Sequence, residues 1–248
     1  MVNASSQRLC AWAGPACIVV FFVGFWPIAG FMPPPSPTNS PAQVAAFYAE
    51  HTTAIRLGLV IGMFAAALLG VWSGGISVQL KRIEGIHSPL TYAQLVLGAA
   101  LPLIFILPMM FWEVAAFRPD RPAGETVLLN DLGWLPFVGV VFTGVPWAIA
   151  IGLAILRDPR PEPVFPRWSG YLTLWVSLIF TPGCLVVFFK TGPFAWNGPL
   201  AFWMVILVFA GWSLMFSWLL LRAIDRQQWE RVRATDRADS ASPVAGLG

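Results

Sequence analysis

The stretch that decides the fold is Leu200 to Leu221, LAFWMVILVFAGWSLMFSWLLL, which contains no Asp, Glu, Lys, Arg or His and ends at Arg222. At about 1.5 Å of rise per residue, a helix of this length crosses the roughly 30 Å hydrocarbon core of a bilayer. Five further stretches have the same character: Leu9–Met32, Arg56–Leu80, Leu90–Val114, Leu135–Leu156 and Trp168–Phe189. Their interiors contain no Asp, Glu, Lys, Arg or His, and the charges at their margins fall where polar headgroups would lie. The predicted fold is therefore all-α: a polytopic membrane helix bundle of six transmembrane helices over residues 1–221. A basic cytoplasmic tail over 222–248 follows, disordered from about Asp239.

Composition agrees with lipid as the solvent. Of 248 residues, 57% are hydrophobic and 11% charged, whereas a soluble domain carries roughly 25% charged residues to keep its surface wetted. Thirteen Trp fit a chain that passes the membrane–water boundary repeatedly, since the indole is apolar in its ring and wet at its N–H. The first stretch is longer than a signal-peptide core and lacks a small-residue cleavage site, so it reads as an anchor that stays.

The net charge of +3 reads as topology, and no nucleic-acid partner is expected. If the segments alternate from an inside N-terminus, the inner ones hold eleven basic residues: Arg8, Lys81, Arg82, Arg157, Arg160, Arg167, Arg222, Arg226, Arg231, Arg233 and Arg237. The outer ones hold four: Arg56, Arg118, Arg121 and Lys190. Basic residues favour the cytoplasmic side, which predicts N-in and C-in in a cell inner (plasma) membrane. The basic tail also suits anionic headgroups, with Arg226 and Glu230 spaced to pair along a helix.

Between the spans, Pro33-Pro34-Pro35-Ser36-Pro37 favours an extended polyproline segment, and Ser40-Pro41 is a helix start leading into a short outer helix to His51. The second span carries Gly58, Gly62, Ala66, Gly70 and Gly74, a small residue at every fourth position, which lets a neighbouring backbone approach closely. This stripe predicts helix packing, within the chain or between copies. Prolines at 15, 27, 102, 108, 136, 146 and 182 each remove a backbone donor, and such breaks kink a helix or serve as hinges.

Catalytic sets are absent from the sequence. His51 and His87 fall on opposite sides of the bilayer, so neither a multi-histidine metal centre nor a bis-histidine haem site is expected. Cys10, Cys17 and Cys184 sit in apolar stretches without ligand spacing. Ser73 has no histidine in any span to activate it, and span interiors without charge argue against a pump or proton-coupled carrier. Neither metal nor cofactor is predicted.

The remaining polar side chains gather on the outer face. Glu113 at the end of the third span faces Arg56 at the start of the second. Asp131 and Trp134 belong to the third loop, and Lys190, Trp196 and Asn197 to the fifth, whose Gly, Pro, Trp and Asn residues describe a specific turn. Together these seven residues predict an outer pocket in which Trp134 and Trp196 roof the Glu113–Arg56 pair. The alternative is ordinary interfacial charge with an aromatic belt.

Phe165-Pro166-Arg167-Trp168-Ser169-Gly170-Tyr171 opens the fifth span and Gly192-Pro193-Phe194-Ala195-Trp196-Asn197-Gly198 closes it. With these motifs the sequence resembles six-helix integral membrane proteins common in actinobacterial genomes, over most of residues 8–222. The resemblance implies a bacterial plasma membrane and no particular activity. The expected role is a non-enzymatic accessory or scaffolding subunit, in contact with membrane lipids, that packs with a membrane partner or its own copy or binds a lipid-like ligand. The alternative is a small transporter of an apolar or zwitterionic solute. A membrane enzyme would have to use Glu113 or Asp131 as its acid–base group.

Overall fold

Each apolar stretch forms a helix in the computed structural model, which describes residues 3–139 and 141–241. Helix α1 (Ala4–Val23) widens into a π-helical turn at Gly24–Ile28, where Pro27 has no N–H to offer the turn before it. The short α2 (Pro41–Glu50) starts at Ser40-Pro41 with a full capping box: Gln43 N–H donates to Ser40 Oγ, and Ser40 N–H donates to Gln43 Oε1. Then come α3 (Thr52–Glu84) and α4 (Pro89–Phe117). The fourth span is two helices, α5 (Ala123–Gly139) and α6 (Gly144–Leu156). The fifth begins as α7 (Arg167–Phe180) and tightens into a 3-10 helix over Thr181–Phe188. The sixth opens with a π-helical turn at Pro199–Trp203 and continues as α8 (Met204–Ala241). Among the described residues there is no strand, and six helical segments are long and apolar enough to cross a membrane. Of the tail expected to be disordered, residues 242–248 lie outside those described, and α8 runs unbroken to Ala241.

The outward-facing surface of these spans is apolar. Leu9, Phe64, Val96, Leu107, Trp175, Leu178 and Leu207 are each more than half exposed, a pattern that water would not tolerate and acyl chains match. Lipid offers no hydrophobic drive to bring one helix against another, so close packing and hydrogen bonds must hold the bundle.

Small residues make that packing possible. A Cβ on Gly58 would strike the carbonyl of Gly24 and the backbone of Ala29, so α3 crosses the π-helical turn of α1 at contact distance. Gly62 and Gly70 instead face Met109 and Pro102 of α4, Ala66 is fully buried, and Gly74 meets nothing within 4 Å. The stripe is thus used inside the chain from Gly58 to Gly70. Deeper in the bundle Trp72, Trp147 and Trp212 meet at ring-centroid distances of 5.3 to 5.9 Å. Gly14 and Gly98 lie against the indoles of Trp72 and Trp147, where a methyl group would collide.

The face that carries both chain ends is cross-linked by polar side chains. Arg8 pairs with Asp225 at 2.8 Å, and Arg82 with Glu230 at 2.9 Å. Gln79 donates to both Gln7 and Gln227. Arg226 does not turn to Glu230, the partner its spacing predicts; its Nη1 donates to the Pro163 carbonyl at 2.9 Å. The post-membrane part of α8 is therefore docked on the ends of α1 and α3. In the loop between α6 and α7, the Asp158 carboxylate is fully buried and accepts from Arg160 Nε and Nη2 and from the Val164 N–H. Burial alone would raise its pKa; the Arg160 and backbone hydrogen bonds outweigh that and hold it below the usual Asp value.

Two outcomes follow from this packing. Gly58→Ala costs about 1–3 kcal/mol of overpacking against backbone that cannot swing aside, more than the ~1 kcal/mol of helix propensity it gains. Gly74→Ala keeps the gain, so thermal unfolding in mild detergent should separate the two variants in opposite directions. A depressed carboxylate stabilises the fold above its unfolded pKa of roughly 3.9 and loses that contribution as pH falls through the lower folded value. Amide protection of residues 158–164, taken relative to intrinsic exchange at each pH, should therefore fall below about pH 4 in the wild type, while Asp158→Asn is weakly protected already at neutral pH and shows no such transition.

Candidate functional site

The seven residues predicted for the outer face are distributed over two places. Arg56 Nε lies 3.9 Å from Glu113 Oε2 across the α3–α4 interface, with the guanidinium 5.4 Å from the centroid of the Phe117 ring. The Glu113 side chain is 15% exposed and Arg56 about half exposed, and Glu113 Oε1 is buried without a hydrogen-bond partner. Trp112, the neighbour of Glu113 in sequence, points about 100° away around the helix and into the core.

Trp134 is fully buried there rather than roofing an opening. Its ring centroid is 4.7 Å from Trp112 and 5.7 Å from Phe31, and it stacks on Trp196 at 6.3 Å with 17° between planes. Trp196 Nε1 donates to the Pro35 carbonyl at 2.7 Å, which ties the polyproline loop to the fifth loop. That loop is the specific turn its composition describes: Gly192 has φ +81°, which favours glycine, and Leu200 N–H donates to the Pro193 carbonyl at 3.0 Å. The Arg56–Glu113 pair and the aromatic stack thus occupy different faces of α4, and no hydrogen bond joins them among the described residues.

Asp131 accepts from Asn130 Nδ2 at 3.3 Å, and Lys190 is exposed and forms no ion pair with it. Asn197 is half-buried in the turn. Two residues outside the predicted seven complete this region: Tyr48, which the sequence did not single out, and Asn130, a polar residue of the expected third loop. Tyr48 of α2 is fully buried and donates to Asn130 Oδ1 at 3.2 Å, and the Asn130 carbonyl accepts from Trp112 Nε1 at 3.3 Å. Burial and then the Asp131 charge push the Tyr48 hydroxyl well up, so it stays a donor. Asn130 lies in α5, which begins at Ala123 where the sequence reading expected a loop up to Leu135. The early start holds because Tyr48 and Trp112 satisfy the polar groups of that turn.

A second region lies in the middle of the bundle, at the breaks in the fourth and fifth spans. Pro136 and Pro146 bracket the interruption between α5 and α6, and Thr181-Pro182-Gly183 begins the 3-10 segment. The interruptions face each other: Gly183 lies against the Val138 carbonyl and Val141, and Gly139 against Val186. Beside them is a cavity of about 110 Å³ between α4, the two interruptions and the start of the sixth span. Its lining, including Leu101, Phe105, Phe137, Phe180, Val205 and Phe209, is wholly apolar. The paired prolines with flanking glycines were the signal available in sequence.

The arrangement can pack and hold apolar groups, and its ionisable residues stay at the ends of the spans. Among the described residues, no three His, Cys, Asp or Glu side chains come together in a way that could hold a metal ion. A scan against protein-family models, a search of curated proteins and a search of solved structures each found no match to this chain.

Core and boundary pair should respond differently to substitution. Trp134→Ala removes a fully buried indole and costs about 3–5 kcal/mol, whereas Glu113→Gln loses a long, partly exposed ion pair worth under about 1 kcal/mol. Chemical unfolding of the two variants in detergent checks this ordering, and a larger loss for Glu113→Gln contradicts it.

Proposed function

We propose that this integral membrane protein is an accessory subunit of a bacterial plasma membrane. On this reading, both termini are cytoplasmic and the cavity beside the helix breaks holds the apolar chain of a lipid-like ligand. The cavity carries the proposal, because a wholly apolar space open between helices in a bilayer fits an acyl or isoprenoid chain and offers nothing to an ion. The excess of basic residues on the face of the chain ends supports the orientation. An accessory role fits a bundle with ionisable groups only at its margins and with the unfilled end of the small-residue stripe at Gly74 left for a partner helix or a second copy.

The two facing helix interruptions favour one second reading, a small transporter of an apolar solute. Unwound segments at matching depth give such proteins a place to bend.

Val205→Phe fills the cavity and tests the first reading directly. Labelling of the purified protein by a photoactivatable fatty-acyl probe should fall several-fold in the variant, and unchanged labelling would falsify the lipid-chain reading. Transport is decided by the same variant in reconstituted vesicles: wild-type flux of a fluorescent fatty acid that Val205→Phe abolishes supports the transporter, and labelling without flux leaves the accessory role.

A further inference from the structure

We propose that the face carrying the chain ends has a built site for an anionic phospholipid, in the groove between the α6–α7 loop and the point where α8 leaves the membrane. The inference is separate from the mid-membrane cavity and stands whether or not that cavity takes a chain. It rests on where the groove lies, what lines it and which of its donors are free.

The groove measures about 550 Å³, and its lining includes Glu162, Trp168, Trp218, Leu219, Arg222 and Arg226. It sits at the depth where the sixth span changes from uncharged to charged, since no ionisable residue occurs between Pro199 and Leu221 and Arg222 follows directly. Trp168 and Trp218 are 49% and 46% exposed, two indoles at the level where the interface favours them. The lower part of the groove is therefore apolar and the upper part cationic.

The donors are placed for a phosphate. The Arg222 guanidinium lies 3.9 Å from the centroid of the Trp218 ring. That contact holds the charge in position without occupying its N–H groups, and among the described residues Arg222 has neither an ion pair nor a hydrogen bond. Arg226, one turn further along α8, is anchored by Nη1 to the Pro163 carbonyl and keeps its other donors. The opposite wall is rigid, because the buried Asp158 ties Arg160 and Val164 together. Two arginines one turn apart above two indoles match a lipid phosphate with its glycerol and first methylenes below. A free anion would leave the indoles and Leu219 without a partner. Glu162 on the rim opposes any anion and so weakens the site.

The protein in phosphatidylcholine nanodiscs doped with phosphatidylglycerol, released and weighed by native mass spectrometry, tests the assignment. Phosphatidylglycerol should remain bound in preference to phosphatidylcholine. Arg222→Gln, which breaks no hydrogen bond of the fold, should reduce that retention about fivefold. Glu162→Gln should increase it, a change that misfolding could not produce. Equal retention of the two lipids, or undiminished retention in Arg222→Gln, overturns the proposal. Displacement of phosphatidylglycerol by inorganic phosphate assigns the site to a free anion and also overturns it.

Discussion

Trp72, Trp147 and Trp212 meet in the middle of the bundle, one from each of the second, fourth and sixth spans, at 5.3 to 5.9 Å between ring centroids. In a bilayer such a contact gains nothing from excluding water; its stability is dispersion between closely fitted surfaces. The fit depends on what faces the indoles. Gly14 of the first span and Gly98 of the third leave room for Trp72 and Trp147, and Trp212 Nε1 donates to Thr173 of the fifth. All six spans are thus connected through three large rings and the small or hydroxyl residues beside them. Phe216 extends the cluster towards Phe165 in the loop before the fifth span.

The two ends of the bundle are built on different chemistry. Away from the chain ends, Phe25, Phe31, Trp112, Trp134 and Trp196 form a continuous aromatic core, and the polyproline loop is fastened to it by one indole N–H. That end is closed by rings. At the chain ends the cross-links are Gln, Arg, Asp and Glu side chains reaching between α1, α3 and α8. This end can therefore hold charge near lipid, and the arginines of α8 project beside exposed indoles there. The apolar cavity lies between these ends, where two interrupted helices leave a space that no side chain fills.

Much of this was legible in sequence because the bilayer imposes a length and a polarity on each span. Six uncharged stretches of about the required length leave little choice of fold class, and Ser40-Pro41 marks the start of α2 because a cap and a first-turn proline act locally. The residues at the end of the bundle away from the chain ends were identifiable as polar or aromatic groups near the boundary. Their grouping was not, because Trp112 and Glu113 are adjacent in the chain yet face opposite environments, and only packing decides which of them enters the core. Asn130 and Trp134 read as loop residues because polarity near a span end resembles a loop. Their burial requires Tyr48 and Phe31, which come from distant parts of the chain.

The sequence by itself determined the solvent, the number of spans and the asymmetry of basic charge, and it offered seven prolines as candidate breaks, of which Pro15, Pro102 and Pro108 lie inside unbroken helices. Each of these follows from properties of consecutive residues: transfer to hydrocarbon, helix rise and the missing proline N–H. Only the tertiary structure decided that two of the weak points face each other beside an apolar space, that the small-residue stripe changes partner between Gly58 and Gly62, and that among the described residues Arg222 has no ion pair or hydrogen bond while Arg82 and Arg226 are engaged. Those outcomes depend on which surfaces meet across tens of residues, and in a membrane that choice is made by fit rather than by hydrophobicity, which every span shares.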